Sequence, residues 1–87
     1  VDVRDPELWA AGHAPGALHI PAAQLAGSTA AIDHQTTVLV VCQGGVTSLK
    51  AARLLREAGF PAACSVKGGM SRWLHRGLPI VQDRAPS

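Results

Sequence analysis

The fold of this chain is decided by residues 37–48, whose sequence is TVLVVCQGGVTS. Residues 37–41 are a continuous, largely β-branched apolar run, which predicts a central strand of a parallel sheet buried on both faces. The run stops at Cys42, two glycines follow, and Thr47 and Ser48 open an amphipathic helix. Backbone N–H groups of such a loop can converge on the cysteine sulfur, and the helix start adds partial positive charge. Because these surroundings favour the nucleophilic thiolate, we interpret Cys42 as a nucleophile in an anion-binding loop.

The composition is that of one small globular domain. Of 87 residues, 47% are hydrophobic and 16% charged, which suits a single modest core. A net charge of +2, with two Trp, one Phe and no Tyr, provides no platform for stacking bases, so we expect no nucleic-acid partner. No apolar run reaches the roughly 20 residues that span a bilayer. Since a signal-peptide pattern is also absent, we expect no membrane association and a cytoplasmic location.

The two cysteines occupy different sequence contexts. Cys42 ends a strand, whereas Cys64 lies inside a predicted strand over residues 62–66, on the same face as Ala62 and Val66. We therefore predict that Cys64 is a small buried core residue and that the two thiols stay reduced and unpaired.

Strands and helices alternate along the rest of the chain. In order, the predicted elements are a strand end (1–3), a short helix capped by Asp5 (6–11), an extended piece (17–20), a helical turn (22–25), a loop (26–36), the central strand (37–41), a helix (47–58), a strand (62–66) and a last helix (70–76). This order predicts a right-handed α/β layered domain. In the helix over residues 47–58 we predict a buried stripe of Ala51, Leu54, Leu55 and Ala58, spaced i, i+3, i+4, i+7.

The carboxyl ends of parallel strands meet at one edge of a sheet, where ligands bind. This rule brings Arg4 and Asp5, the Cys42 loop and Lys67 near one another. Asp2 and Arg4 alternate on a strand, which favours a buried ion pair or hydrogen bonds to the backbone over a catalytic role. Lys67 is interpreted as a rim residue. His13 lies in a turn and is expected to hydrogen-bond to the backbone. The histidines show no metal-ligand spacing, so we expect no metal.

Motifs along nearly the whole chain match one known family in order and spacing. They are Asp2–Arg4 with Glu7 and Trp9, Gly12–Ala17 with Ile20 and Pro21, Cys42–Ser48, Ala51–Ala52 with Leu55, Gly59–Phe60, Gly68–Gly69 with Trp73, and Gly77–Ile80. On these residues the chain resembles the rhodanese-like (sulfurtransferase) family. The resemblance implies an α/β fold whose parallel sheet is flanked by helices on both faces, with the domain over residues 1–82 and a tail over 83–87. The family's N-terminal strand and helix are missing ahead of Asp2, so we expect a trimmed domain or part of a larger protein.

The resemblance also implies a chemistry. Cys42 would accept a sulfane sulfur from a donor such as thiosulfate, become a persulfide, and pass the sulfur to a thiol or another nucleophile. The residues that would form the substrate-binding cradle are Gln43, Gly44, Gly45, Val46, Thr47 and Ser48. Asp2, Arg4 and Gly12–Ala17 match family positions that look structural. The implied partners are a small sulfur donor and a thiol or protein acceptor, with no cofactor, and the chain is expected to be a monomer or a domain of a larger protein.

Thr47 departs from the family pattern. Many members carry Arg there, which helps hold an anionic donor, whereas Thr47 offers a helix cap and a hydroxyl but no charge. The alternative function is therefore a catalytically silent binding or regulatory module. A cysteine phosphatase or arsenate reductase would need Arg at the position of Ser48, and the loop has none, which argues against that class.

Overall fold

The computed structural model, which describes residues 1–27, 29 and 32–82, is built on a parallel sheet. Strand β1 (Val38–Val40) pairs with strand β2 (Ala63–Ser65). Because the two strands run in the same direction, the chain between them must cross over the sheet, and a helix provides that crossover.

Asp2 extends the sheet on the other side of β1. Its backbone forms parallel bridges to Val41, which directly follows β1, and to His19. The order across the sheet is therefore His19, Asp2, β1 and β2, all parallel. This arrangement confirms the predicted α/β class and the predicted strand end at residues 1–3.

Helices lie on both faces of the sheet. Their bounds in the described part of the chain are α1 (Pro6–Ala11), a 3₁₀ helix (Ala22–Gly27), α2 (Thr47–Glu57) and α3 (Gly69–His75). Pro6 begins α1 after the N-cap residue Asp5, as predicted, although the Asp5 side chain makes no capping hydrogen bond. Gly59 follows α2 with a φ of +104°, a left-handed conformation that suits the glycine after a helix end.

The buried stripe of α2 differs from the prediction. Its buried residues are Ser48, Ala51, Ala52 and Leu55, of which the three apolar ones belong to the same core cluster as Phe60 and Val40. Leu54 is 56% exposed and Ala58 is also exposed, so their predicted burial is wrong. The stripe lies nearer the helix start because the first turn of α2 packs against the Cys42 loop, to which Ser48 is hydrogen-bonded.

The face of the sheet away from α2 is only partly covered. Leu39 is 57% exposed, and Cys64, opposite it in the strand register, is exposed as well. The predictions that β1 is buried on both faces and that Cys64 is a core residue are therefore wrong. On this face α3 and residues 14–17 line an open cavity of about 190 Å³ together with Leu39, instead of packing tightly over it. Alternation along the strand buries Val38 and Val40 on the α2 side.

The chain after α3 returns to the segment that follows α1. Val81 and His13 form an antiparallel bridge, with N–H···O distances of 2.8 and 2.9 Å in the two directions. The predicted tail over residues 83–87 lies outside the described residues, as does part of the predicted loop over 26–36. Within the described ranges, no helix combines the length and the apolar character needed to cross a bilayer.

Candidate active site

The loop of residues 42–46 connects β1 to α2 and packs against the turn between β2 and α3. Gly45 has a φ of +94°, and a Cβ atom there would lie 3.0 Å from the backbone nitrogen of Gly68. A Cβ atom on Gly69, whose φ is +57°, would overlap the carbonyl oxygen of Cys42. These two contacts explain Gly45 and Gly69, because a side chain at either position would force the loop and the turn apart.

The sulfur of Cys42 lies at the centre of this loop. The backbone N–H of Gly45 donates to it at 3.0 Å and that of Ser48 at 3.3 Å. The Ser48 hydroxyl is also 3.3 Å from the sulfur. Cys42 is only 5% exposed, so these hydrogen bonds are screened from bulk water. The predicted convergence of loop amides on the sulfur is therefore present.

These contacts also set the ionisation of the thiol. Burial raises the pKa of Cys42, but hydrogen bonds from the Ser48 hydroxyl and from the amides of Ser48, Gly45 and Gly44 outweigh it. The pKa of Cys42 consequently lies below its ordinary value. Since the thiolate is the reactive form, the loop increases the fraction of Cys42 that can act as a nucleophile near neutral pH.

A cavity of about 360 Å³ lies beside Cys42. The residues that line it are Val3, Arg4, Asp5, Leu8, Pro21, Ala22, Ala23, Cys42, Gln43 and Thr47. It thus combines the Cys42 loop with the segment that follows Asp2 in the sheet. This confirms that Arg4 and Asp5 lie near Cys42, as the strand-end rule predicted. Lys67, by contrast, lines a separate cavity of about 340 Å³.

Arg4 takes part in this site as well as in the core. Its predicted ion pair with Asp2 is confirmed, with Nη2 and Oδ2 2.8 Å apart and both side chains buried. Nη2 also donates to the carbonyl oxygen of Gly12 at 2.7 Å. Nη1 points to the loop and donates to Gln43 Oε1 at 3.2 Å. Sequence reasoning assigned Arg4 a structural role, whereas its position on the cavity wall also places a fixed positive charge beside Cys42.

The family model for the rhodanese-like domain matches residues 1–76. The chain belongs to the rhodanese-like domain family. This confirms the resemblance that its motifs indicated.

Solved structures of related proteins share the fold. A rhodanese-related protein from Thermoplasma volcanium is 26% identical with a TM-score of 0.88, over 95% of this chain and 82% of its own. The rhodanese_3-like domain of a protein from Anabaena sp is 31% identical with a TM-score of 0.85, over 92% and 93% of the two chains. A thiosulfate sulfurtransferase from Pseudomonas aeruginosa is 26% identical with a TM-score of 0.85, over 94% of this chain but only 16% of the longer one.

The cradle residues predicted for this rhodanese-like domain divide into distinct groups. Gln43 and Thr47 line the cavity, whereas Gly44, Gly45 and Ser48 stabilise the sulfur through their amides or hydroxyl. Val46 is 68% exposed, and it occupies the N-cap position of α2. Thr47 therefore does not cap the helix as expected, because α2 already begins at Thr47 itself.

Ser65 is a site residue that sequence reasoning missed. Its Oγ lies 2.6 Å from the Oγ of Ser48, which in turn contacts the Cys42 sulfur. Alternation along β2 places Ser65 on the same face as the buried Ala63. No signal in the sequence indicated Ser65, because the alternation that placed Cys64 in the core put Ser65 on the opposite face.

His13 and His19 both contact carbonyl oxygens of the backbone. His13 stacks on Trp9 with 3.4 Å between ring centroids, and its Nδ1 lies 2.8 Å from the Trp9 carbonyl oxygen, which confirms the expected backbone hydrogen bond. His19 Nε2 lies 2.9 Å from the carbonyl oxygen of Arg4. Across the described residues, no group of three or more His, Cys, Asp or Glu is arranged to hold a metal ion.

Proposed function

We propose that this rhodanese-like domain is a sulfurtransferase that carries a sulfane sulfur on Cys42 from a donor such as thiosulfate to an acceptor thiol. The observation that carries the proposal is the set of hydrogen bonds from Gly45 and Ser48 to the Cys42 sulfur. Such contacts favour the thiolate, the form of cysteine that attacks sulfur. The likeness in fold to the thiosulfate sulfurtransferase from Pseudomonas aeruginosa supports the same reaction class.

In the first half-reaction, the Cys42 thiolate attacks the outer sulfur of thiosulfate. A bond forms between the Cys42 sulfur and that outer sulfur, the sulfur–sulfur bond of thiosulfate breaks, and sulfite leaves with the electron pair. The product is a Cys42 persulfide whose terminal sulfur carries the negative charge. The loop amides that donate to the Cys42 sulfur are already in place before the reaction, so they stabilise the attacking thiolate without reorienting.

In the second half-reaction, the thiolate of an acceptor attacks the terminal sulfur of the persulfide. A new sulfur–sulfur bond forms on the acceptor, and the bond to Cys42 breaks with the electron pair returning to the Cys42 sulfur. The acceptor leaves as a persulfide and the Cys42 thiolate is regenerated. Atoms and electrons therefore balance over the two steps without an external oxidant or reductant.

The cavity beside Cys42 is the proposed donor site. Arg4 supplies positive charge on its wall and Asp5 supplies negative charge, while Thr47 is neutral. Part of the Arg4 charge is already compensated by Asp2. We therefore infer that an anionic donor is held mainly by the loop amides and by Nη1 of Arg4, and more weakly than in a loop that also carries Arg.

Intact-mass spectrometry after incubation with thiosulfate tests the proposal. The chain with Cys64→Ser should gain the mass of one sulfur atom and lose it again when a thiol acceptor is added. The variant Cys42→Ser should gain nothing. Sulfur loading on Cys64 in the Cys42→Ser variant would contradict the assignment of Cys42.

The alternative is a catalytically silent binding or regulatory module. The uncharged Thr47 on the cavity wall favours it, because the donor site then lacks one of the cations common in the family. Incubation with a small-molecule persulfide distinguishes the two functions, since this donor does not need cationic side chains to hold a dianion as thiosulfate does. If neither thiosulfate nor the persulfide loads Cys42, the silent module is the better description.

A further inference from the structure

Three side chains from different elements form a hydrogen-bonded row that starts at the Cys42 sulfur. The row runs from Cys42 in the loop to Ser48 in the first turn of α2, at 3.3 Å, and on to Ser65 at the end of β2, at 2.6 Å. The Ser48 side chain is completely buried. Ser65 is half-buried, so its oxygen lies at the outer end of the row.

The chemistry of the row allows two arrangements of hydrogens. When Cys42 is a thiol, its S–H donates to Ser48 Oγ and the Ser48 hydroxyl donates to Ser65 Oγ. When Cys42 is a thiolate, the Ser48 hydroxyl must turn and donate to the sulfur, because a thiolate has no hydrogen to give. The buried Ser48 oxygen then needs a donor of its own, and the Ser65 hydroxyl is the group within reach.

We propose that Ser65 is a positioning residue for Cys42, which donates its hydroxyl hydrogen to Ser48 and thereby holds the Ser48 hydroxyl as a donor to the ionised sulfur. The proposal rests on the proposed function in one respect, that the ionised Cys42 is the reacting form. Hydrogen bonds arranged in a chain polarise one another, so the Ser65 donor strengthens the Ser48 bond to the sulfur.

Charged groups near the loop stay unchanged when Ser65 is replaced. Arg4 and Asp5 face Cys42 across the cavity, and Lys67 and Arg72 flank the turn between β2 and α3 on its other side. A change in the titration of Cys42 on substitution of Ser65 therefore reports on the hydroxyl row and not on altered charge.

The experiment measures the rate of alkylation of Cys42 by iodoacetamide as a function of pH, in a Cys64→Ser background that leaves Cys42 as the single thiol. Ser65→Ala should move the midpoint to higher pH and reduce the rate below that midpoint by about two- to threefold, the lower end of the net effect of a hydrogen bond, because Ser65 acts through Ser48. Ser48→Ala removes the direct donor and should reduce the rate by about three- to tenfold.

A matched pair of variants distinguishes a positioning role of the Ser65 hydroxyl from a purely structural role of the side chain. Ser65→Thr and Ser65→Val have branched side chains of similar shape that both suit a strand, but only threonine keeps the hydroxyl. Ser65→Thr should keep the midpoint of the parent chain, and Ser65→Val should shift it as Ser65→Ala does. This pair also provides the test if Ser65→Ala does not fold, and thermal unfolding of each variant checks its integrity.

An unchanged midpoint in Ser65→Val, or equal shifts in Ser65→Thr and Ser65→Val, would overturn the proposal. A midpoint that moves to lower pH would do so too, because Ser65 would then compete with the sulfur for the Ser48 hydrogen. Sulfur loading from thiosulfate, measured by intact mass on the same variants, separates this proposal from the proposed function. A shifted midpoint with no loading in any variant contradicts only sulfur transfer, and loading with an unshifted midpoint contradicts only the role of Ser65.

Discussion

The two cysteines show how differently one residue type behaves at the two sides of this small sheet. Cys42 follows β1 at its carboxyl end and is almost fully buried, with its sulfur accepting amide hydrogens from the loop. Cys64 lies inside β2 on the poorly covered face, exposed to solvent, and its sulfur is 3.9 Å from the carbonyl oxygen of Ala62. Exposure alone would favour Cys64 as the reactive thiol. The hydrogen bonds to Cys42 predict the opposite order, since they favour the ionised thiol, which is the nucleophilic form.

The surroundings of the two cysteines also differ in how many buried groups and close contacts they contain. The Cys42 side contains the buried Asp2–Arg4 pair, a completely buried hydroxyl and two backbone segments in close contact. The Cys64 side presents Leu39 and Cys64 to solvent. Substitutions on the first side should therefore affect stability and reactivity together, and those on the second side should affect neither strongly.

The largest effect is expected from Arg4→Met. It leaves the completely buried Asp2 carboxylate without its partner, which should lower the free energy of unfolding by about 3–5 kcal/mol. Chemical denaturation provides the measurement. Leu39→Thr is the matched change on the open face, where the exposed side chain should cost less than about 1 kcal/mol. Similar costs for the two substitutions would contradict the comparison between the two sides.

Gly69→Ala should have the next largest effect. The new Cβ atom would overlap the carbonyl oxygen of Cys42 in a left-handed backbone conformation, so we expect a loss of roughly 2 kcal/mol and slower alkylation of Cys42. Gly44→Ala is the control within the loop, because a Cβ atom there meets no atom within 4 Å. Equal unfolding free energies for the two variants would show that the loop and the turn are not held in this close contact.

Iodoacetamide labelling of the unsubstituted chain compares the reactivity of the two cysteines directly. At neutral pH we expect Cys42 to be modified before Cys64, and its alkylation midpoint to lie below the value of about 8.5 for an ordinary cysteine. The direction of this pH dependence follows from the lowered pKa of Cys42. The thiolate forms as the pH rises through that pKa, and reactivity is lost below it. Peptide mapping after brief labelling identifies the modified residue, and preferential modification of Cys64 would reverse the assignment.

Thr47→Arg should produce the smallest change. A charge added at the exposed cavity wall acts mainly on binding, so the KM for thiosulfate should fall by about two- to fivefold with little change in kcat. Thr47→Ala should leave both constants nearly unchanged, because Thr47 does not occupy the N-cap position of α2. A large loss of activity in Thr47→Ala would mean that the hydroxyl contacts the donor or the persulfide directly.

Much of the site was predictable because its features are local in the chain. The apolar run before Cys42, the glycines after it and the start of a helix behind it together predict a loop whose amides face the sulfur, and the motif order predicts the rhodanese-like family that the comparison confirms. The Asp2–Arg4 pair was predictable too, since residues two apart on a strand share a face.

Tertiary packing decided the features that no local pattern contains. Whether Leu39 and Cys64 are buried depends on how far α3 and residues 14–17 extend over the sheet, and the stripe of α2 that is buried depends on how its first turn meets the Cys42 loop. The contact between Ser48 and Ser65 joins residues 17 positions apart, through the parallel pairing that places β2 beside β1. The sequence by itself therefore determined the family, the sheet and the loop around the cysteine proposed as the nucleophile, because propensity, alternation and glycine conformation act within a few residues. Only the tertiary structure decided which side chains complete the site, because that depends on distances between segments far apart in the chain.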